Sequence, residues 1–175
     1  MTPEERARTI AYLDLHEGRG PVPVLDDEGV RELLAATRRI AVIGASDDPR
    51  RPSHDVFRHL LASGFDCVPV NPNVASVAGV QAYANLVEAV AATGPVDIVD
   101  VFRRAEACAV HAREAVAVGA RCLWLQLGIV DWESATIAHD AGLSVVMDRC
   151  LSVEWRRFGR VGRSERSERS TMEAP

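Results

Sequence analysis

Lysine is absent from the 175-residue sequence, and all 20 basic side chains are arginine. That excludes Schiff-base chemistry, attachment of pyridoxal phosphate and the lysine of a P-loop. Aromatic residues make up only 5%. Trp124, Trp132 and Trp155 lie apart without surrounding basic residues, so they read as packing side chains rather than base-stacking platforms. No run approaches eighteen apolar residues, so no membrane span is expected. The first twenty residues are charged and lack an apolar core, so no signal peptide is expected and the location implied is cytoplasmic. The cysteines Cys67, Cys108, Cys122 and Cys150 are 41, 14 and 28 residues apart with no CxxC pair. They read as reduced and mostly buried thiols. The histidines are scattered: His54 and His59 are five apart and no HExxH occurs, so no metal site is expected.

What is present is 47% hydrophobic and 26% charged, enough for one domain with a true core. The net charge of −5 is unevenly spread. Residues 1–155 hold fourteen Arg against twenty-two acids, net −8, and residues 156–175 hold six Arg against three Glu, net +3. An acidic body is a poor partner for nucleic acid, whose affinity comes from cations on phosphates.

Three regions are expected: a helical extension over 1–25, a globular domain over 26–158, and a disordered Arg/Ser/Glu tail over 159–175. Residues 3–16 can form a short amphipathic helix, broken by Gly18, Gly20, Pro21 and Pro23. Asp26 or Asp27 can cap a second helix running to about Thr37, with Val30, Leu33 and Leu34 inward. Five apolar runs follow, Ile40–Ile43, Cys67–Val70, Ile98–Phe102, Cys122–Leu127 and Ser144–Met147, as expected of strands buried on both faces. Helical stripes lie between them: Val56, Phe57, Leu60 and Leu61; Cys108, Ala112 and Ala115; Ile137, Ala138 and Ala141. They stop at Gly64, Gly119 and Gly142. A weaker helix is expected around Leu86–Ala92, and Val80–Tyr83 can add a short strand. Strand and helix alternating in this way predict an α/β fold, a Rossmann-like doubly wound parallel sheet of about five strands with flanking helices. The tail repeats Arg-Ser-Glu and has little to bury.

Open α/β sheets bind ligands beyond the carboxyl ends of their strands. The first strand ends in Gly44-Ala45-Ser46, followed by Arg50, Arg51 and Ser53. Gly44 permits a tight turn, Ser46 offers a hydroxyl, Ser53 can cap the next helix, and two guanidinium groups suit a diphosphate. An ordinary turn with solvated arginines is the competing reading. A dinucleotide fingerprint would need GxGxxG and an acid after the second strand. Only the first glycine is present, and the second strand runs into Val70-Asn71-Pro72-Asn73 with no acid, which disfavours NAD. His54, near the start of the helix, could donate to a phosphate or remain exposed. Ser46, His54 and Asp55 do not make a hydrolytic triad, since no GxSxG surrounds Ser46 and adjacent helix residues point apart.

The segment IAVIGASDDPRRPSHDVFRHLLASGFDCVPVNPN resembles the start of the small stand-alone coenzyme A-binding proteins. VDIVDVFRR, ARCLWLQLGIV and AGLSVVMDRC resemble that family's later blocks, in the same order. The likeness runs from about Asp26 to Trp155, and the same domain resembles the N-terminal part of the succinyl-CoA synthetase α subunit. It implies a Rossmann-like domain binding CoA or an acyl-CoA. By this resemblance Gly44, Ala45 and Ser46 sit at the diphosphate with Arg51 nearby. Val70, Asn71 and Pro72 line the adenosine side, Phe102 and Arg103 border the cofactor, and so do Gln126 and Gly128. Family members often carry a basic residue after the Asn-Pro pair. Here it is Asn73, so Arg50 or Arg103 would supply that contact.

The related synthetases need a phosphorylatable histidine in a second domain and a nucleotide-binding partner, so a complete ligase is not expected. With no catalytic acid–base pair in sight, the reading is a small binding or regulatory module for CoA, with a protein partner possible but unidentified. The alternative is an enzyme or subunit that acts on an acyl thioester or nucleotide cofactor with a missing partner. Cys150 follows the fifth strand and lies at the same edge as Ser46 and Gln126. It is either a packing residue or a thiol, activated by Arg149, that could form a mixed disulfide with CoA.

Overall fold

A computed structural model describes residues 1–159. From residue 160 on, the expected Arg/Ser/Glu tail lies outside the described residues. In chain order the elements are α1 (Pro3–His16), α2 (Asp27–Ala36), β1 (Arg39–Ile43), α3 (Pro52–Ala62), β2 (Asp66–Val70), β3 (Ser76–Val77), β4 (Val80–Gln81), α4 (Leu86–Thr93) and β5 (Ile98–Val101). A 3₁₀ turn (Ala105–Ala107) leads into α5 (Cys108–Ala117), then β6 (Cys122–Leu125), α6 (Trp132–Asp140), β7 (Ser144–Val146), α7 (Leu151–Glu154) and a π turn (Trp155–Gly159). Among the described residues no helix is long and apolar enough to cross a membrane.

The five apolar runs all become strands of one parallel sheet, in the order β2-β1-β5-β6-β7. Strand β1 pairs with both β2 and β5, Ile43 lying opposite Val70 on one side and Val101 on the other. The chain reverses its direction of winding there, the switch point at which such sheets form a ligand crevice. Both faces are covered. On one, Ala41, Ile43, Val68, Val99, Val101, Leu123 and Val145 pack against Leu86 and Ala89 of α4, Cys108, Ala112 and Ala115 of α5, and Ala135 and Ala138 of α6. On the other, Ile40, Val42, Ile98, Cys122 and Trp124 meet Val30 and Leu34 of α2, Phe57 and Leu60 of α3, and Leu151 of α7. Continuous apolar runs are what burial from two sides demands.

Several boundaries differ from the sequence expectation. The strands end earlier than the runs, at Val101, Leu125 and Val146; of the residues beyond, Gln126 and Met147 stay buried and Leu127 is exposed. The segment from Val80 is a two-residue strand paired antiparallel with β3, while Tyr83 makes a separate bridge to Val70. Ala141 is exposed, because the inward face of α6 is Ser134, Ala135 and Ala138. Helix α1 begins in a capping box between Thr2 and Glu5, yet buries none of its residues fully. It docks through Leu15 and through the indole Nε1–H of Trp132, which donates to the carbonyl of Ala11 at 3.2 Å. The Trp132 ring occupies the space a side chain at Gly20 would need.

Candidate functional site

The loop after β1 is held from three sides. Gly44 has φ +81°, and a Cβ there would lie 2.4 Å from the carbonyl oxygen of Phe102. Only glycine permits both the left-handed turn and this approach of two backbones. The Asn71 side-chain amide donates to the Ala45 carbonyl at 2.8 Å, and His54 Nδ1 donates to the Ser46 carbonyl at 2.8 Å. His54 is thus buried rather than exposed, and its Nδ1 is occupied by the loop. Its bond is to the Ser46 backbone and not to the hydroxyl, as no hydrolytic pair would have it. The Ser46 hydroxyl instead accepts from the Asp48 N–H at 3.1 Å.

Ser53 does not cap α3. Pro52 occupies the first helical position, and its ring keeps the preceding residue extended, so Arg51 is the N-cap (φ −87°, ψ 137°) with no side-chain cap bond. Ser53 is the second helical residue, and it is buried. Arg51 is exposed at the mouth of the crevice. Arg50 pairs with both oxygens of Asp48, at 3.0 and 2.9 Å, and the pair holds the Asp48 carboxyl below its ordinary value.

At the end of β2, the Val70 side chain is in the core while its carbonyl accepts from the Gly44 N–H at 2.9 Å. Asn71 is half-buried and Pro72 exposed, and the Asn71 Oδ1 also accepts from the Asn73 N–H at 2.9 Å. Phe102 and Arg103 are half-buried at the end of β5. Gln126 is buried, and its amide donates downward to Asp100, at 2.7 and 2.9 Å. Asp100 lies wholly inside the sheet, where burial pushes its carboxyl up to about 8, partly opposed by the Gln126 bond. Gly128 is exposed, with nothing near its Cα on the side-chain side.

Cys150 is the half-buried N-cap of α7, with its sulfur 3.4 Å from the Ser152 hydroxyl. The Arg149 guanidinium turns away to Asp27, at 2.7 Å, and toward Glu154. The other three cysteines are buried, and burial pushes the thiols of Cys67 and Cys108 up to about 12.

The sequence reading missed a further component of this edge. Arg8, Tyr12 and His16 recur every four residues, which puts them on one face of α1. His16 Nε2 is 3.0 Å from an Asp148 oxygen, the nearby Asp148 charge raises the Tyr12 phenol above its ordinary value, and Arg8 pairs with Glu106. Asp148 adopts φ 54° and accepts from the Gly128 N–H at 2.7 Å, so one carboxylate ties α1 to the loop after β6. Between them is a cavity of about 420 Å³ lined by Arg8, Tyr12, Arg104, Ala105, Gly128, Ile129 and Val130. The four-residue spacing was the available signal.

Residues 38–156 match the family model described as CoA binding domain. The chain belongs to that family. An uncharacterized protein of Bacillus subtilis (strain 168), YneT, is 39% identical over 124 residues, which are 71% of this chain and 90% of YneT. A solved structure from Thermus thermophilus is 40% identical, covers 77% of this chain and 99% of its own, and superposes with a TM-score of 0.71. A hypothetical protein of Pyrococcus horikoshii OT3 is 32% identical with a TM-score of 0.73, over 77% of this chain and 92% of that one. The CoA-binding domain thus accounts for the sheet and its edge loops, while α1 lies before the matched residues.

Proposed function

We propose that the protein binds CoA or an acyl-CoA along the strand ends, as a binding module without acid–base machinery of its own. The observation that carries this is the CoA-binding family match over 38–156 together with the glycine turn at Gly44, which brings the β1 loop close against Phe102 and leads to the N-terminus of α3. On this reading Gly44, Ala45, Ser46 and Arg51 hold the diphosphate, with Ser53 behind them. Val70, Asn71 and Pro72 flank the adenosine. Phe102, Arg103 and Gly128 follow the pantetheine, and Gln126 braces that edge through Asp100. Arg50 would have to leave Asp48 to reach a phosphate, which makes Arg51 the principal cation. The functional unit is residues 26–158, with 1–25 as an added helical extension.

The module reading is supported by the one carboxyl shifted toward neutrality among the described residues, Asp100, which is sealed behind Gln126. Mass spectrometry of the purified protein, native and then denatured, tests the proposal. A co-purifying adduct with the mass of CoA or an acyl-CoA is expected, and a nicotinamide or flavin dinucleotide in its place would overturn it.

A further inference from the structure

We propose that the cavity under α1 is the acyl subsite of this CoA site and that it takes a short acyl group ending in a carboxylate. The inference rests on the CoA reading above. Gly128 and Arg104, which line the cavity, adjoin Gln126 and Arg103 at the ends of β6 and β5. Strand β6 is two places from β1 in the sheet, about 10 Å at ordinary strand spacing. A diphosphate at Gly44–Ser46 would therefore let the long pantetheine arm deliver its sulfur to this cavity.

The chemistry of the walls selects the group. Ala105, Ile129 and Val130 offer apolar surface for methylene carbons, and Arg8 and Arg104 offer two guanidinium groups, the fork that matches a carboxylate. Arg8 already holds a carboxylate, that of Glu106, with both side chains more than half exposed. Such an exposed pair contributes little to stability, so a ligand carboxylate can take the place of Glu106 at small cost. The wall is positioned by Asp148, whose side chain is only 6% exposed and which binds His16 and the Gly128 N–H together. A volume of about 420 Å³ suits a small acyl group.

Pentanoyl-CoA and glutaryl-CoA have acyl chains of equal carbon number that differ at the terminal group, methyl against carboxylate. Calorimetry of the full chain with CoA, pentanoyl-CoA and glutaryl-CoA tests the proposal, with circular dichroism confirming that each variant is folded. Glutaryl-CoA is expected to bind at least tenfold more tightly than pentanoyl-CoA. Arg8→Ala and Arg104→Ala should each reduce that ratio severalfold and together bring it near one, whereas Glu106→Gln should raise it. A wild-type ratio near one, or a ratio that survives the double variant, would overturn the acyl subsite while leaving CoA binding in place. Failure of CoA and both thioesters to bind would instead overturn the CoA reading and this inference with it.

Discussion

Arg51 occupies the N-cap of α3 without using its side chain as a cap, so its guanidinium is available at the mouth of the crevice where Arg50 is engaged by Asp48. A charge-assisted bond from Arg51 to a phosphate makes Arg51→Ala weaken CoA binding by roughly 1–3 kcal/mol in calorimetry. Unchanged affinity in the folded variant would remove Arg51 from the site. The cysteines separate by burial. Cys67, Cys108 and Cys122 are buried, which pushes their thiols up, and Cys150 is half-buried just beyond β7. On incubation with CoA disulfide, peptide mapping should find Cys150 modified first, and modification at any of the other three before Cys150 would leave it a packing residue. At this scale the glycine turn at Gly44 was legible, because it is local chemistry. The partners of Arg50, Gln126 and His54 were not, because each is set by how the edge loops fold back on one another.

Helix α1 is the element whose place the sequence did not disclose. Its start and end follow from Thr2, Pro3 and the glycines after His16, but docking over the strand ends depends on Asp148, more than 130 residues away. The sheet was legible for the opposite reason. Strands covered by helices on both faces must be apolar throughout, so Ile40–Ile43 and Ile98–Val101 announce themselves without reference to any partner. Where a run crosses from sheet to edge, as at Gln126 and Leu127, apolar patterning cannot mark the boundary. An element with no fully buried residue opens at little free-energy cost. Amide hydrogen exchange should therefore find α1 far less protected than α3 or α5 in the free protein and slowed when glutaryl-CoA is bound. Protection of α1 equal to that of the core helices without ligand would contradict this.

For the molecule as a whole, Asp100 is a buried carboxyl that makes stability fall as pH rises. In the folded protein it stays neutral to about 8, because burial penalises its charge, while in the unfolded chain it ionises near its ordinary value. Below about pH 4 both states hold the proton and no penalty applies. Between about 4 and 8 folding must take up a proton, so this group lowers stability with rising pH at up to about 1.4 kcal/mol per unit. Asp100→Asn keeps the shape and removes the ionisation. In urea unfolding from pH 5 to 8, the stability of the variant relative to the wild type should climb with pH. Parallel pH profiles for the two proteins would show that Asp100 does not titrate in this window.

On the proposed function, this strand edge serves CoA and not a nicotinamide dinucleotide. After β2 the edge offers Asn71, Pro72 and Asn73, with no carboxylate for ribose hydroxyls, and its β1 loop carries one glycine followed by Ala45, Ser46 and two arginines. Side-by-side calorimetric titration of the full chain with CoA and with NADH tests this most directly. Tight, saturable binding of CoA with NADH weaker is the predicted result, and NADH binding more tightly than CoA would contradict it.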